Sequence, residues 1–203
     1  MGYSSDLTKQ RIIEYATQEF LEKGFLNANL RDIAKNAQVT TGAIYNHFGS
    51  KDNLFHEIVG DVAEEFFNIF DSAHNRYKSV TNIDYVDEPN LFDSTTGMVL
   101  RYFYDHWTIF RLLFCSSSGS EFADYYAKLI AVEEESTLKT CENIYGTLDT
   151  VTRFFLHVTS SSSIKQLIEV VHHDLSKEDA FVYMKKIQDF HTAGMKEIFG
   201  KNK

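Results

Sequence analysis

The sequence predicts an all-α protein with a three-helix N-terminal domain, joined by a long helix to a larger helical C-terminal domain. The 203 residues include one proline and ten glycines, so the chain holds few turn-forming residues. Apolar residues recur at helical spacing along most of the chain, and we find no segment with the alternation of a strand. We place the boundary between the domains at residue 50, which gives ranges 1–50 and 51–203.

The charge of the chain is unevenly distributed. The formal net charge is −9, but residues 1–60 hold six lysines and arginines against seven acidic residues, which leaves −8 on the remainder. The acidity therefore belongs mainly to the larger domain and does not exclude a polyanionic partner for the smaller one. Neither a signal peptide nor an apolar run long enough to span a membrane is found, and Cys115 and Cys141 lack metal-site spacing. We expect a cytoplasmic, reduced protein that needs no cofactor.

The first helix is predicted over about Leu7 to Lys23. Its apolar stripe includes Ile12, Ala16 and Phe20, and Gly24 is a natural C-terminal stop. A helix with this pattern would pack one face against the two short helices that follow.

Residues 29–48 predict two short helices joined by a tight turn. Asn29 can cap the first of them, and Thr40 or Thr41 can cap the second. Gly42 lacks a Cβ and would let the start of the second helix approach a phosphate closely. This arrangement is typical of a helix-turn-helix that places its second helix in the major groove of DNA.

The same segment resembles the DNA-binding domain of TetR-family transcriptional regulators. The resemblance covers about fifty residues and rests most on the run from Thr41 to Lys51, Thr-Gly-x-Ile-Tyr-x-His-Phe-x-Ser-Lys. Two positions depart from the family pattern. Gln38 stands where the turn usually has glycine, and Asn29 stands where serine or threonine usually caps the second helix.

The resemblance implies a homodimer that binds a palindromic double-stranded DNA operator. It places Thr40, Thr41 and Tyr45 at bases or phosphates, with Gly42 allowing close approach of the backbone. The remaining predicted DNA-binding residues would hold the phosphate backbone; they are Asn29, Arg31, His47 and Lys51. Phe48, in contrast, is expected to be a core residue.

A long helix is predicted from Lys51 to about Arg76, capped by Ser50 and shared by both domains. Such a rod could transmit a shift in one domain to the other. Residues 79–91 contain the only proline and predict a loop, after which helical pattern resumes at about Phe92. Further helices are predicted over about 121–144, 147–172 and 177–199.

The aromatic residues of the C-terminal domain suggest a cavity for a small, largely apolar effector, although core packing explains them equally well. The predicted ligand-binding residues are Tyr102, Phe103, Trp107, Phe110, Tyr126 and Phe155.

The last two helices carry a narrow apolar seam, which suits packing of helix against helix. We predict that they form the dimer interface with their symmetry mates, as the resemblance also implies, although packing within one subunit would give the same seam. The predicted interface residues are Phe154, Val158, Ser162, Ala180, Met184, Ile187, His191 and Met195.

The sequence favours a ligand-responsive repressor over the other function classes. We find no nucleophile elbow, phosphate-binding glycine loop or paired-carboxylate motif, so we do not expect an enzyme. Adjacent His172 and His173 point in different directions on a helix, which disfavours a metal site. The alternative is a TetR-fold adaptor or coactivator that binds a protein partner rather than DNA, and an activator role is also compatible with the sequence.

Overall fold

The computed structural model describes residues 2–79 and 94–200, without the side chains of residues 2–4 and Tyr77. The described residues form α-helices, one π-helix and connecting turns, and no strand occurs among them. The all-α prediction is confirmed. Residues 80–91 of the predicted loop lie outside the described ranges. Within those ranges, no helix has both the length and the apolarity needed to cross a membrane.

The N-terminal helices follow the predicted order. They are α1 (Gly2–Asn27), α2 (Leu30–Asn36), α3 (Thr41–Phe48) and the long α4 (Lys51–Tyr77). Gly24 interrupts α1 with a φ of 72°, so the predicted stop is present as a kink. α4 confirms the predicted long helix, and Ser50 caps it by accepting a hydrogen bond from the Asn53 amide.

The remaining helices are α5 (Thr95–Asp105), α6 (Trp107–Arg111), α7 (Tyr125–Tyr145), α8 (Thr150–His172) and α9 (Lys177–Phe199). A short π-helix, Leu112–Ser116, continues directly from α6. α9 has the predicted bounds. The predicted helix start at Phe92 lies outside the described residues, and the helical run that follows is divided, because His106 leaves helical geometry with φ −123° and ψ 34°.

The chain packs into two compact units. The first comprises Met1–Phe66 and Trp107–Tyr126, and the second comprises Phe67–His106 and Ala127–Lys203. The region around α6 and the π-helix thus packs with the N-terminal helices, and α1 contacts the π-helix directly. The functional boundary at residue 50 stays a prediction, because a packing unit need not coincide with a functional domain.

Aromatic rings dominate the core of the first unit. Phe20 and Phe55 are fully buried and meet edge to face with centroids 5.0 Å apart, and Phe25 meets Phe55 at 5.2 Å. Phe66 packs edge to face on Phe110 at 5.0 Å. These ring contacts pack α1 and α6 against α4.

Candidate nucleic-acid interface and ligand cavity

Helix α3 has one buried face and one face open to solvent. Ile44 and Phe48 are buried and hold the helix on the core, as expected for Phe48. The Tyr45 side chain is 53% exposed, and Thr40 and Gly42 are also exposed, whereas Thr41 and His47 are half-buried. An eight-residue helix with a polar, aromatic outer face is narrow enough to enter a major groove.

Side-chain caps position both short helices. The Asn29 side chain accepts a hydrogen bond from the Arg31 amide at 2.9 Å, and Thr40 Oγ1 accepts one from the Ala43 amide at 3.1 Å. Both predicted caps are confirmed, with Thr40 rather than Thr41 at the start of α3. The side-chain oxygens of Asn29 and Thr40 therefore stabilise the N-termini of α2 and α3 without a binding partner.

Glu19 ties α1 to the start of α2. Its carboxylate, only 5% exposed, accepts hydrogen bonds from Lys23 Nζ at 2.8 Å and from the Asn29 amide at 3.1 Å. Lys23 also reaches Asp32 in α2 at 3.0 Å, and these two carboxylates raise the pKa of Lys23. A buried carboxylate with a cation and an amide donor is satisfied, so the angle between α1 and α2 is well defined.

Gln38, in the turn between α2 and α3, has a left-handed backbone with a φ of 54°. This is the position where the family pattern has glycine, and the structure shows why glycine suits it. A residue with a Cβ is strained there by about 1–2 kcal/mol. The turn nevertheless closes, since the Val39 amide donates to the Ala34 carbonyl at 2.9 Å.

Replacing Gln38 by glycine is expected to raise the free energy of unfolding by about 0.5–1 kcal/mol, because relief of strain exceeds the extra unfolded-state entropy of glycine. Chemical denaturation measures the change. Gln38→Ala keeps the strain and serves as the matched control, so an equal gain in both variants would contradict this explanation.

Lys51 makes its contacts with the end of α1. Its ammonium donates to the carbonyl oxygens of Phe25, Leu26 and Ala28 at 2.7, 3.3 and 3.3 Å. It also lies 4.6 Å from the centroid of the Phe25 ring. In this structure its donors serve the carbonyls at and after the end of α1, and the phosphate contact of Lys51 stays a prediction.

Arg31 and Lys35 provide the positive charge on the exposed surface of α2. Both side chains are exposed, and neither forms an ion pair within residues 2–79 and 94–200. Lys9, in contrast, pairs with Glu57 in α4. Of the predicted phosphate-binding cations, Arg31 is therefore the one available to a polyanion.

The second unit contains a cavity of about 380 Å³ formed by α4, α5, α7, α8 and α9. Its apolar wall includes Phe70, Val99, Ile164, Leu167 and Met184. Many of the polar lining residues carry hydroxyl groups; they are Thr95, Thr96, Ser136, Thr137, Thr140, Thr159, Ser160, Ser163 and Thr192. A volume of this size with mixed walls is typical of a small-molecule site.

His74 and Glu133 form a charged pair on this cavity. His74 Nε2 donates to Glu133 at 2.6 Å, and Nδ1 lies 2.7 Å from the Phe70 carbonyl. Both ring nitrogens face acceptor oxygens, so both must carry hydrogen and the ring is an imidazolium. Burial lowers the pKa of His74, but the hydrogen bond and charge of Glu133 outweigh it, and the net pKa is raised.

The His74–Glu133 pair predicts a stability that decreases with rising pH. Because the pKa of His74 is raised on folding, its contribution is complete below the unfolded value of 6.5 and is lost as pH rises through the folded pKa. Denaturant unfolding of the wild type and of His74→Gln between pH 6 and 9 checks this. We expect the difference between the two proteins to shrink with pH; a constant difference would contradict the assignment.

None of the six predicted ligand-binding residues lines this cavity. Phe103 and Phe110 are fully buried core residues, and the Tyr102 ring packs against the His106 ring at a tilt, with centroids 4.5 Å apart. Trp107 and Tyr126 belong to the first unit, and Phe155 packs against the cluster around Leu156. Aromatic content alone did not separate a cavity wall from a packed core, and those six assignments stay untested by any bound ligand.

The predicted dimer residues divide into two groups. Ala180 and Met184 are buried within the subunit, which corrects their assignment to an interface between subunits. Met184, His191 and Met195 line the cavity. Phe154 and Val158 are exposed, as an interface requires, and Ser162 and Ile187 are half-buried. The large exposed apolar side chains of α9 are Val182, Phe190 and Ile198, none of which is among the predicted interface residues.

Comparison with known proteins gives the same reading of the N-terminal domain. Residues 12–58 match the family described as bacterial regulatory proteins, tetR family. The HTH-type transcriptional repressor DhaR of Mycobacterium sp. strain GP1 is 40% identical over 60 residues, 30% of this chain and 28% of that protein. The HTH-type transcriptional regulator AcrR of Shigella flexneri is 47% identical over 51 residues, 25% and 24% of the two chains.

The whole fold also has solved counterparts. A transcriptional regulator of the TetR/AcrR type from Aquifex aeolicus VF5 aligns with 95% of this chain and 99% of its own, with a TM-score of 0.52 and 20% identity. That identity shows a shared fold alone. The chain spans about a quarter of the length of the curated relatives that it matches. Residues 12–58 thus resemble the tetR family of bacterial regulatory proteins, and the chain shares its all-helical fold with a solved regulator of that type.

Proposed function

We propose that this protein is a transcriptional repressor that binds a palindromic operator as a homodimer and is released when a small molecule enters the cavity of its second unit. The observation that carries the proposal is α3, whose solvent face offers Thr41, Gly42 and Tyr45 while Ile44 and Phe48 anchor it. The matched relative DhaR is named as a repressor, which supports the sign of regulation. No catalytic activity forms part of this proposal.

The proposed DNA contacts have two roles: some position the domain on the duplex, and others recognise the base sequence. Arg31 and Lys35, both exposed on α2, would neutralise phosphates and set the register of the domain on the duplex. Tyr45 and Thr41 on α3 would reach base edges and thymine methyl groups in the groove. Since each subunit offers one short helix, specific binding requires two half-sites and therefore two subunits.

Exposed apolar residues on α8 and α9 support the dimer. Phe154 is 66% exposed and Phe190 is 69% exposed, and Val151, Val158 and Val182 are exposed on the same two helices. Large apolar side chains in contact with water indicate a surface that a partner covers. A second copy of the chain would cover this surface and would also supply the second α3 that a two-half-site operator needs.

The effector response is proposed from the cavity and from the continuity of α4. His74 lines the cavity near the end of α4, and the same helix begins at Lys51, three residues after α3 ends. A ligand that moves the end of this helix would shift the reading helix through a continuous rod. Release from DNA requires that the ligand bind the free protein more tightly than it binds the DNA-bound protein.

Selection from a random DNA library tests the proposed reading of DNA. The intact protein should enrich a two-fold symmetric sequence, and Tyr45→Ala tested in parallel should enrich none. A palindrome would establish operator reading and the dimer together. Failure of the wild type to enrich any sequence would reject the proposal in favour of an adaptor that binds a protein partner.

A further inference from the structure

The two oppositely charged side chains His74 and Glu133, which line the cavity, neutralise each other in an ion pair. His74 is an imidazolium and Glu133 is a carboxylate, and they contact each other at 2.6 Å. His191 Nε2 donates to Gln166 Oε1 at 2.7 Å, and burial lowers the pKa of His191, which favours the neutral ring. Lys196 lines the cavity but is exposed, so solvent screens its charge.

Among the described lining residues, a charged ligand would therefore meet no buried countercharge that the protein has not already paired. Removing an ion from water without such a partner carries a large desolvation cost. The apolar wall, in contrast, suits a hydrocarbon body, and Phe70, Val99 and Leu167 are all buried parts of it.

Ser160 adds a specific polar anchor. Ser160 is one of the residues that line the cavity, it is only 3% exposed, and its buried Oγ has no hydrogen-bond partner among residues 2–79 and 94–200. Neighbouring hydroxyls on α8 behave differently, since Thr159 donates to the Phe155 carbonyl and Ser162 donates to the Val158 carbonyl. A buried hydroxyl without a partner is uncommon and is satisfied when a ligand supplies one.

We propose that the effector of this protein is an uncharged amphipathic molecule whose hydroxyl or carbonyl group hydrogen-bonds Ser160 and whose hydrocarbon body covers the apolar wall of the cavity. The inference rests on the proposed ligand response and specifies its chemistry. Ser160 is the specificity-determining residue, because its hydroxyl can both donate and accept but carries no charge. The paired His74 and Glu133 keep the cavity electrically neutral.

A matched series of probes tests the charge of the ligand. The alcohols octanol, decanol and dodecanol are compared with the carboxylates and trimethylammonium salts of the same chain lengths at pH 7.5. The alcohols are used below their solubility limits and the salts below their critical micelle concentrations. Calorimetric titration of the intact protein measures the affinities. We expect an alcohol to bind at least about tenfold more tightly than either charged analogue of equal length, because only the charged head groups lose water without a partner.

Two variants test the role of Ser160. Ser160→Ala removes the unpartnered hydroxyl and should weaken alcohol binding about fivefold. The free variant should melt no lower than the wild type, which shows that it folds. Ser161→Ala removes a neighbouring hydroxyl that does not line the cavity and should leave the affinity unchanged.

Three results would overturn the proposal: a charged probe that binds as tightly as the alcohol, no binding by any member of the series, or unchanged alcohol affinity in Ser160→Ala. Titration of the same samples with the selected operator separates this question from the proposed function. Retained DNA binding with no alcohol binding overturns only the ligand class. Alcohol binding without any operator binding leaves the ligand class standing and rejects the repressor.

Discussion

Tyr45→Ala is expected to lower operator affinity by at least about 30-fold while leaving the free energy of unfolding unchanged. The side chain is 53% exposed on α3, so its loss creates no cavity in the core. A base contact in the groove contributes about 1–3 kcal/mol, and a dimer loses two such contacts. Fluorescence anisotropy titration of labelled operator gives the affinity, and denaturant unfolding gives the stability.

Tyr15→Phe offers a matched control, because it alters a tyrosine of α1 without removing its ring. It should change neither operator affinity nor stability. If Tyr45→Ala binds the operator as tightly as the wild type, α3 is not the reading helix.

Lys51→Met is expected to lower the free energy of unfolding by about 2–3 kcal/mol and to leave the salt dependence of DNA binding unchanged. The ammonium group donates to three carbonyl oxygens and lies on the Phe25 ring, and hydrogen bonds from charged groups are the stronger kind. Methionine keeps the aliphatic stem while removing the donors. Denaturant unfolding measures the first effect, and operator titrations from low to high salt measure the second.

Arg31→Ala is the complementary variant, since Arg31 is exposed and its side chain caps nothing in the structure. It should leave stability unchanged and reduce the slope of log affinity against log salt by about 1.8, for two phosphates per dimer at about 0.9 each. A reduced slope in Lys51→Met, with stability intact, would instead support the phosphate contact of Lys51 predicted from the sequence.

Features encoded over a few residues could be predicted from the sequence. Asn29, Thr40 and Ser50 cap helices through amides two or three residues ahead, so their chemistry and spacing suffice. Gly24 likewise interrupts α1 because glycine tolerates a positive φ. Gln38 shows the limit of such local rules. The family pattern indicated the unusual turn, whereas the strain itself appears only in the backbone angle.

Features that depend on distant residues could not be predicted in the same way. Lys51 contacts carbonyls 23–26 residues earlier in the chain, and His74 pairs with Glu133 across 59 residues. No sequence spacing signals either contact. The apolar seam of α9 indicated which face of the helix is covered but not what covers it. Ala180 and Met184 on this face are buried within the same subunit. Ser160 stands in a run of four serines, and only its unpartnered oxygen distinguishes it.

The central claim is that two subunits read two half-sites through α3. The most direct measurement is a binding titration of the intact protein on the selected palindrome and on the same DNA with one half-site scrambled. We predict two subunits per intact palindrome and an affinity that falls by at least about a hundredfold when one half-site is scrambled. Equal affinity for both DNAs, or one subunit bound per palindrome, would contradict the account.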